Sequence, residues 1–492
     1  MNPYDKEIVS GFETIKKTAI EMSHKNDISQ AIMWADHAIM VANQMNWKYN
    51  DEQLNNLMDD LSTQIIKPRN GKYQSTPKRV VFYDQYGKSF ILALQYINAL
   101  TIAGYQILYI LSDFADENRD TFIIEELQKK ENVIVEVIPP KLDYLQRVRR
   151  IYQLTMEYAP GKAFLHVKAF SVFNLVLPSL PSKITKYYID LQDHALWIKN
   201  NNLDFVIPYR DWGATIDIEK RGFSKKQVLK LPYYPIVTKT SFQGFPQATN
   251  GKVVIFTGGN YYKTIDYNNT YWKLIVRVLN ENPDTIVLYA GKGDTDGQKQ
   301  ALQQFANEKD LSNRLIPIGF RADINEVFAH CDIFMGTCPM SGGLMCQYAA
   351  YNGKPILQYY RPDMAANNET EQVLNYNGTL DISFTDVNAF LAEAKHLIDD
   401  DAYRKTQGEK LRKILIRKDQ FDELFKHTIT SNQSQIVVTM QKIDYDAFTR
   451  WWFFLEKKGI SNCRDYLLSL LKRKKYFVMP LSAIKKRMHT LK

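Results

Sequence analysis

The chain has 492 residues, a formal net charge of +9, 45% hydrophobic residues and 24% charged residues. This composition is typical of a folded globular protein and excludes a disordered or fibrous one, and the length predicts two or three domains. The cysteines Cys331, Cys338, Cys346 and Cys463 form no Cys-x-x-Cys pair. We therefore expect free thiols in a reducing compartment, with neither a disulfide framework nor a metal cluster.

The start of the chain, MNPYDKEIVSGFETIKK, lacks the apolar core of a signal peptide, so we expect a cytoplasmic protein. The most apolar long stretch, residues 91–111, is interrupted by Gln95, Asn98, Gly104 and Gln106. It predicts a helix, a glycine stop and a strand rather than a membrane span.

Residues 1–66 predict a helical cap, because apolar residues recur at spacings of three and four with no strand-like run: Ala31, Ile32, Ala35, Ala38, Ile39 and Ala42. Residues 79–236 then alternate helical segments with short apolar strands: RVVFYD, YQILYILS, NVIVEVI, AFLHV, KYYIDL, DFVIPY and VLKLPYYP. Such alternation predicts a doubly wound parallel sheet.

Residues 252–432 repeat the pattern with KVVIFTGG, TIVLYAGKG, LIPIGF, DIFMGT and PILQYY. The predicted fold is therefore α/β, with two Rossmann-like doubly wound domains facing a cleft. Residues 433–492 add C-terminal helices and a basic tail.

That tail carries eight Lys or Arg and no acid from Lys472 to Lys492, interleaved with aromatic and aliphatic residues. It suits an anionic membrane surface, which predicts peripheral attachment to the inner face of the membrane. A solvated basic helix is an equally good interpretation. Nucleic acid is not an expected partner, because the rest of the chain is not basic.

Several strand ends of the second domain carry residues suited to a phosphate, because glycine lets an anion approach the backbone and cations neutralise its charge. A tight turn explains any one glycine pair equally well, but we expect these loops to share one sheet edge. The candidate residues are Gly258, Gly259, Asn260, Lys263, Gly291, Phe320, Arg321, Ser341, Gly342 and Gly343.

The run GFRADINEVFAHCDIFMGTCPMSGGLMCQYAAYNGKPIL, with TGGNYYK before it, resembles the donor half of GT-B glycosyltransferases, and the resemblance covers roughly residues 79–430. The resemblance implies a nucleotide-diphosphate sugar as donor substrate, bound by the C-terminal domain, with Lys263 at the diphosphate. Many retaining members place a carboxylate five residues before the glycine of Gly-x-Pro. Tyr348 stands there, preceded by Gln347, which we include in the donor site. The departure favours an inverting reaction.

An inverting transfer needs a base on the acceptor side, and our candidate is His194 beside Asp193, just after the strand KYYIDL. The competing interpretation of His194 is a surface or helix-capping histidine. Adjacent residues in a strand point to opposite faces, so Asp193 could instead orient a loop or the substrate and make no hydrogen bond to His194. Arg210 ends the next strand and lines the acceptor side or forms a salt bridge. Tyr86 and Gly87 follow the first strand, in a loop that we expect to approach the acceptor. His166 is interpreted as a core histidine.

No metal is expected, because Asp294-Thr-Asp296 and Asp444-Tyr-Asp446 are interpreted as structural and the lysine, arginine and helix dipole suit the phosphates. The expected acceptor is a glycan, a lipid-linked molecule or a protein, in surface-polysaccharide biosynthesis. Two alternatives stay open: a polyol-phosphate transferase of the teichoic-acid type, since DIFMGTCPMSGG and GKPILQYYRPD resemble those polymerases, and a non-catalytic glycosyltransferase-like partner subunit.

Overall fold

The structure is a computed structural model. It describes residues 3–67, 73–87, 92–112, 122–237, 239–291, 296–363, 369–374, 380, 382–460 and 462–472. The basic tail beyond Lys472 and residues 292–295, which include Asp294, lie outside the described residues.

The chain divides into two compact units. Unit 1 comprises residues 1–231, 419–440 and the residues from 456 on, and unit 2 comprises residues 232–418 and 441–455. Neither unit is continuous in sequence.

Unit 1 begins with three helices, α1 (Pro3–His24), α2 (Ile28–Met45) and α3 (Glu52–Ile65). All six apolar residues that predicted a helical cap are buried in α2. Asp27 and Asp51 begin α2 and α3 by accepting hydrogen bonds from the backbone N–H groups three residues on, Gln30 and Leu54, which supplies partners for exposed helix-terminal donors. The predicted helical start of the chain is confirmed.

A parallel sheet follows, with strands in the order β3-β2-β1-β4-β5-β6 within the described residues. The strands are β1 (Thr76–Asp84), β2 (Gln106–Leu111), β3 (Val133–Val137), β4 (Pro160–His166), β5 (Thr185–Asp190) and β6 (Phe205–Pro208). The helices that accompany them are α4 (Ala93–Ile102), α5 (Phe122–Gln128), α6 (Tyr144–Tyr158), α7 (Val172–Val176) and α8 (Asp211–Glu219). The central strands are apolar along their length because helices cover both faces of such a sheet.

The strand predicted at residues 228–235 pairs with β6 only at its start. Val228 forms a parallel bridge with Val206, and the N–H groups of Leu229 and Leu231 donate to the carbonyls of Val206, at 2.8 Å, and Pro208, at 2.9 Å. The prolines at 232 and 235 lack the N–H that a ladder requires. The strand prediction was therefore wrong for residues 232–235.

Unit 2 contains a second parallel sheet, with strands in the order β12-β11-β10-β7-β8-β9 within the described residues. Its strands are β7 (Val253–Gly258), β8 (Thr285–Ala290), β9 (Leu315–Pro317), β10 (Ile333–Met335), β11 (Ile356–Tyr359) and β12 (Ser383–Phe384). Its helices are α9 (Thr270–Glu281), α10 (Asp296–Glu308), α11 (Ile324–His330), α12 (Gly343–Tyr351), α13 (Glu369–Leu374), α14 (Val387–Asp399) and α15 (Asp401–Ile414). The two predicted Rossmann-like sheets are confirmed.

Three further helices complete the described chain, α16 (Lys418–Ser431), α17 (Tyr445–Lys457) and α18 (Cys463–Lys472). Phe421 and Phe425 of α16 pack edge-on against Tyr96 of α4. Residues 419–432 therefore belong to unit 1, whereas the sequence had assigned them to the second Rossmann-like domain. Helix α18 packs on α1 and α2. None of the helices in the described ranges combines the length and apolar character needed to cross a bilayer.

Candidate functional sites

In unit 2 the strand order reverses between β7 and β10, and ligands of open α/β sheets bind beyond the carboxyl ends of strands at such a switch point. The loop after β7 carries Lys263, and the loop after β10 carries Ser341 and leads into α12. We name Lys263, Ser341, Gly342 and the first turn of α12 the nest.

The Lys263 ammonium group joins the two loops of the nest. Its Nζ donates to the carbonyl oxygen of Ser341 at 3.1 Å, and the Lys263 carbonyl accepts from the Met340 N–H at 3.3 Å. Among the described residues, no carboxylate lies within salt-bridge distance of Lys263. Its charge is therefore available to an anion.

Helix α12 starts at this ammonium group. Gly342 occupies the position before the helix, and no side chain caps the helix there, so the first turn presents backbone N–H groups and the positive end of the helix dipole. Ser341 is buried and accepts a long hydrogen bond from the Tyr360 hydroxyl at 3.5 Å. The arrangement suits a phosphate group.

Gly258 has a structural reason to be glycine. A Cβ atom there would lie 2.1 Å from the carbonyl oxygen of Ala290 on the neighbouring strand. The Gly259 N–H donates to the same oxygen at 2.9 Å, and the Gly291 N–H donates to the Gly319 carbonyl at 3.2 Å. The loops after β7, β8 and β9 are thus adjacent, as the sequence predicted.

Phe320 follows Gly319 in the loop after β9 and is 67% exposed, so its ring is available to stack on a flat ligand. Asn260 lies at the start of the turn that carries Lys263, and its carbonyl accepts from the Lys263 N–H at 3.0 Å. Both residues lie at the predicted edge.

Arg321 has a different environment from the one expected. Its guanidinium makes two hydrogen bonds with Asp323, at 2.7 and 2.6 Å, and a third with the carbonyl of Gly244 at 2.9 Å. Asp323 neutralises the charge, and this contact lowers the pKa of that carboxyl. Arg321 therefore fastens the segment around Gly244 to α11 and is a poorer phosphate ligand than Lys263.

Gln347 lies in the second turn of α12 and is fully buried. Its amide nitrogen donates to the carbonyls of Tyr233, at 2.6 Å, and Val373, at 3.3 Å. The Tyr348 hydroxyl donates to the Ile236 carbonyl at 3.0 Å. These two side chains anchor the segment 233–236 to α12.

In unit 1, Asp193 is buried and makes a two-pronged salt bridge with Arg210, at 2.6 Å to Nε and 3.0 Å to Nη2. Burial alone would raise the pKa of Asp193, but Arg210 and His194 outweigh it and hold the pKa below its ordinary value. Gly213 of α8 permits the contact, because a Cβ atom there would lie 2.8 Å from the Asp193 Cβ. Of the two interpretations offered for Arg210, the structure shows the salt bridge.

His194 lies in a turn beyond β5, so the alternation of strand side chains does not apply to it. Its Nδ1 lies 3.5 Å from Asp193 Oδ1, and its side chain is 26% exposed. Helix α2 supports this turn, because the Asn43 amide donates to the Leu196 carbonyl at 2.9 Å. The helical start of the chain thus holds the turn that carries the candidate base.

A buried ionic network behind this turn went unnoticed in the sequence. Arg221 Nη1 donates to Asp190 at 3.0 Å and to Asp217 at 2.9 Å, and Nη2 donates to the Ala195 carbonyl at 2.7 Å. Burial, together with the charge of Asp193, raises the pKa of Asp190 to about 6 against the attraction of Arg221. The available signal was the four-residue spacing of Asp217, in α8, and Arg221, just beyond the end of that helix.

Tyr86 and Gly87 follow β1 as predicted, and both are buried. The Tyr86 N–H donates to Asp84 Oδ1 at 2.8 Å, and the same oxygen lies 2.9 Å from Nδ1 of His166. This aspartate–histidine pair was not predicted, since His166 was interpreted alone as a core residue.

No group of three or more His, Cys, Asp or Glu suited to a metal ion occurs within the described ranges. Asp444 accepts the Ala447 N–H at 2.8 Å and so begins α17, as its structural interpretation implied. The four cysteines are buried free thiols.

Solved structures with the same fold were found. An O-GlcNAc transferase mutant from Thermobaculum terrenum matches 91% of this chain and 85% of its own, with TM-score 0.52 and 12% identity. Anabaena HepE in complex with UDP and glucose matches 72% of this chain and 100% of its own, with TM-score 0.51 and 18% identity. A putative UDP-N-acetylglucosamine 2-epimerase from Listeria monocytogenes matches 74% of this chain and 100% of its own, with TM-score 0.50 and 11% identity.

At these identities the similarity shows the fold, which is the two-domain GT-B fold. No protein-family model matches the sequence. No curated protein matches it either.

Proposed function

We propose that the chain is a glycosyltransferase that moves a sugar from a nucleotide-diphosphate sugar to a hydroxyl of a glycan, lipid-linked or protein acceptor. The observation that carries this proposal is the nest, where Lys263 Nζ lies 3.1 Å from the Ser341 carbonyl at the start of α12. An unneutralised ammonium and a helix N-terminus at a switch point suit a diphosphate.

The fold neighbours support a nucleotide as the ligand. HepE has been crystallised with UDP and glucose and with UDP-glucose. We propose that the diphosphate binds to the nest and that Phe320, 67% exposed beside the Gly291 loop, stacks on the base.

We propose an inverting, metal-independent reaction. Helix α12 carries Gln347 and Tyr348 in place of an acid, and both side chains hold the segment 233–236. The donor unit then stabilises the departing diphosphate, with Lys263 and the α12 dipole supplying the positive charge.

The acceptor side of this reaction is assigned to unit 1, with His194 as the base. The partly exposed imidazole takes the proton of the acceptor hydroxyl while the hydroxyl oxygen bonds to the anomeric carbon of the sugar. The bond from that carbon to the diphosphate breaks, and its electron pair leaves with the nucleotide. Asp193, held by Arg210, orients the turn that carries His194.

The test is a thermal-shift and calorimetry panel of UDP, GDP, dTDP and CDP with their sugars, since a ligand of the folded state raises the melting temperature. We expect one nucleotide to bind and its sugar derivative to be turned over to free nucleotide. Mass analysis of the sugar product separates transfer from the epimerisation named for the Listeria neighbour. Binding of CDP-polyols alone supports the polyol-phosphate alternative, and binding without turnover supports the non-catalytic one.

For the basic tail, we propose that the chain is a cytoplasmic protein that attaches to an anionic membrane surface and acts in surface-polysaccharide biosynthesis. Cosedimentation with phosphatidylglycerol vesicles tests the attachment. We expect removal of residues 473–492 to abolish this attachment. We expect about 0.5 M NaCl to weaken it, because salt screens the attraction between the basic tail and the anionic lipid. Equal sedimentation of the shortened chain contradicts the proposal.

A further inference from the structure

The turn that carries His194 is held by one buried guanidinium, that of Arg221. This residue lies just beyond α8 and is 0% exposed. Its Nη2 donates to the main-chain carbonyls of Gln192 at 3.4 Å, Asp193 at 3.1 Å and Ala195 at 2.7 Å. These three carbonyls belong to residues on both sides of His194.

The contacts fix the backbone that bears the imidazole. The Asp193 carbonyl is part of the peptide group directly before His194, and the Ala195 carbonyl is part of the peptide group one residue further on. The Ala195 N–H also donates to the Gln192 carbonyl at 3.1 Å, which closes a turn with His194 at its third position. Because one nitrogen binds carbonyls from both ends of this turn, a displaced guanidinium displaces His194 with it.

The guanidinium is itself held by contacts on its edge and on its face. Its Nη1 donates to Asp190 at 3.0 Å and to Asp217 at 2.9 Å, and both carboxylates are buried. Its Cζ lies 4.7 Å from the centre of the Trp197 ring, and that ring stacks on Tyr188 at 3.9 Å. The core of unit 1 therefore determines where Arg221 lies.

Arginine suits this position better than lysine does. Its N–H donors form a rigid planar fork, so one nitrogen can bind carboxylates while the other binds carbonyls. A lysine ammonium is a single point on a flexible stem and cannot serve both sets. Because buried ion networks usually add little stability over apolar packing, what this one supplies to the turn is a fixed geometry.

We propose that Arg221 is a positioning residue for the transfer reaction, because it holds the turn that presents the His194 imidazole to the acceptor hydroxyl. The inference rests on the function proposed above, in which His194 is the base. Since Arg221 is fully buried, it acts through His194 and does not contact the substrate.

The experiment is a double-mutant cycle in the full chain with R221K, H194A and the combined variant. The rate is release of the nucleotide that the ligand panel identifies, and calorimetry gives the nucleotide Kd. We expect R221K to lower kcat roughly 10- to 100-fold, as for a displaced catalytic group, with an unchanged nucleotide Kd. In the H194A background, R221K should lower kcat no further, because the group that it positions is already absent.

Arg314 of unit 2 provides the matched control R314K. Its Nη1 donates to the carbonyls of Leu279 at 2.6 Å and Asn282 at 3.2 Å. It directly precedes β9, at the amino end of the strands and so at the edge of the sheet opposite the nest. We expect R314K to keep the natural kcat. An equal decrease in R314K, a natural kcat in R221K, or the same decrease from R221K with and without H194A overturns the positioning role.

If R221K does not fold, R221K/D217N replaces it, because a single carboxylate, that of Asp190, then faces the ammonium group. Failure of both variants to fold would make Arg221 a residue of the fold alone and would overturn the inference. A natural chain that turns over no nucleotide sugar overturns the proposed function and this inference with it. An active natural chain with an equally active R221K overturns the inference alone.

Discussion

Lys263 and Ser341 are 78 residues apart in sequence, yet the ammonium group of one donates to the carbonyl oxygen of the other at 3.1 Å. The contact brings the loops after β7 and β10 together at the start of α12. It places one positive charge, without a carboxylate partner among the described residues, where the helix dipole is also positive.

Replacing this lysine tests the donor site. We expect K263A to bind the nucleotide diphosphate roughly 10- to 100-fold more weakly, because a charge-assisted hydrogen bond is lost, and to melt within a few degrees of the natural chain. Calorimetry measures the affinity. Lys252, which pairs with Asp284 before the start of β7, provides the control K252A, and equal losses in both variants would exclude a specific role for Lys263.

Two glycines of the donor loops are expected to differ in how well they tolerate replacement by alanine. At Gly258 a Cβ atom would lie 2.1 Å from the Ala290 carbonyl, whereas at Gly342 the nearest atoms are 3.5 Å or more away. G258A should therefore lower the free energy of unfolding by about 1–3 kcal/mol, as overpacking does, while G342A should fold normally. Thermal melting of both variants checks this, and a stable G258A would mean that the two strands can separate at little cost.

His194 is predicted to act in turnover and not in nucleotide binding. We expect H194A to lower kcat by about 100-fold or more, the usual size of general-base catalysis, with an unchanged nucleotide Kd. The exposed His24 gives the control H24A. Turnover of H194A at the natural rate would remove His194 from the mechanism.

The contact between α2 and the His194 turn is predicted to matter for the same step. N43A loses the hydrogen bond to Leu196 at 2.9 Å, and we expect kcat to fall roughly tenfold because the base is less well positioned. Asn201, whose amide bonds to Asn56 at 3.1 Å, supplies the control N201A. An unchanged kcat in N43A would show that the turn is held without α2.

The pH dependence of stability should show opposing contributions from two neighbours on α2. Burial lowers the pKa of His37 to about 4, and burial raises the pKa of Asp36 to about 7. Below about pH 6.5 the unfolded state takes up the His37 proton first, so His37 costs up to about 3 kcal/mol as the pH falls to 4. Asp36 takes up its proton first in the folded state, so it stabilises the fold as the pH falls below 7.

Melting of H37N and D36N between pH 4.5 and 7.5 separates these contributions. Relative to the natural chain, we expect H37N to gain stability as the pH falls and D36N to lose the advantage that it has at pH 7. Asparagine at position 37 keeps an acceptor for the Tyr466 hydroxyl, which bonds to His37. Parallel curves for all three proteins would contradict both assignments.

Much of the fold was predictable because it depends on local patterns. The alternation of apolar strands with helical segments located both sheets, and the spacing of alanines in α2 predicted its buried face. The strand predicted at residues 228–235 stops pairing after Leu231, because its apolar residues resemble a strand while its prolines cannot donate to a ladder. The two-residue strand β12 is too short to leave a pattern.

The candidate sites depended more on contacts distant in sequence. The sequence identified Lys263 and Arg321 equally as phosphate ligands, and only the structure shows that Asp323 neutralises Arg321. It also treated His166 as an isolated core residue, because its hydrogen-bonding partner, Asp84, lies 82 residues away in sequence.

Sequence by itself determined two α/β sheets, a helical start and the loops where ligand chemistry is concentrated, because periodicity and turn residues act over a few neighbours. Tertiary structure decided which charges in those loops are already neutralised and which side chains are buried. Electrostatic pairing and burial depend on groups brought together from distant strands, and a linear pattern does not record which of them meet.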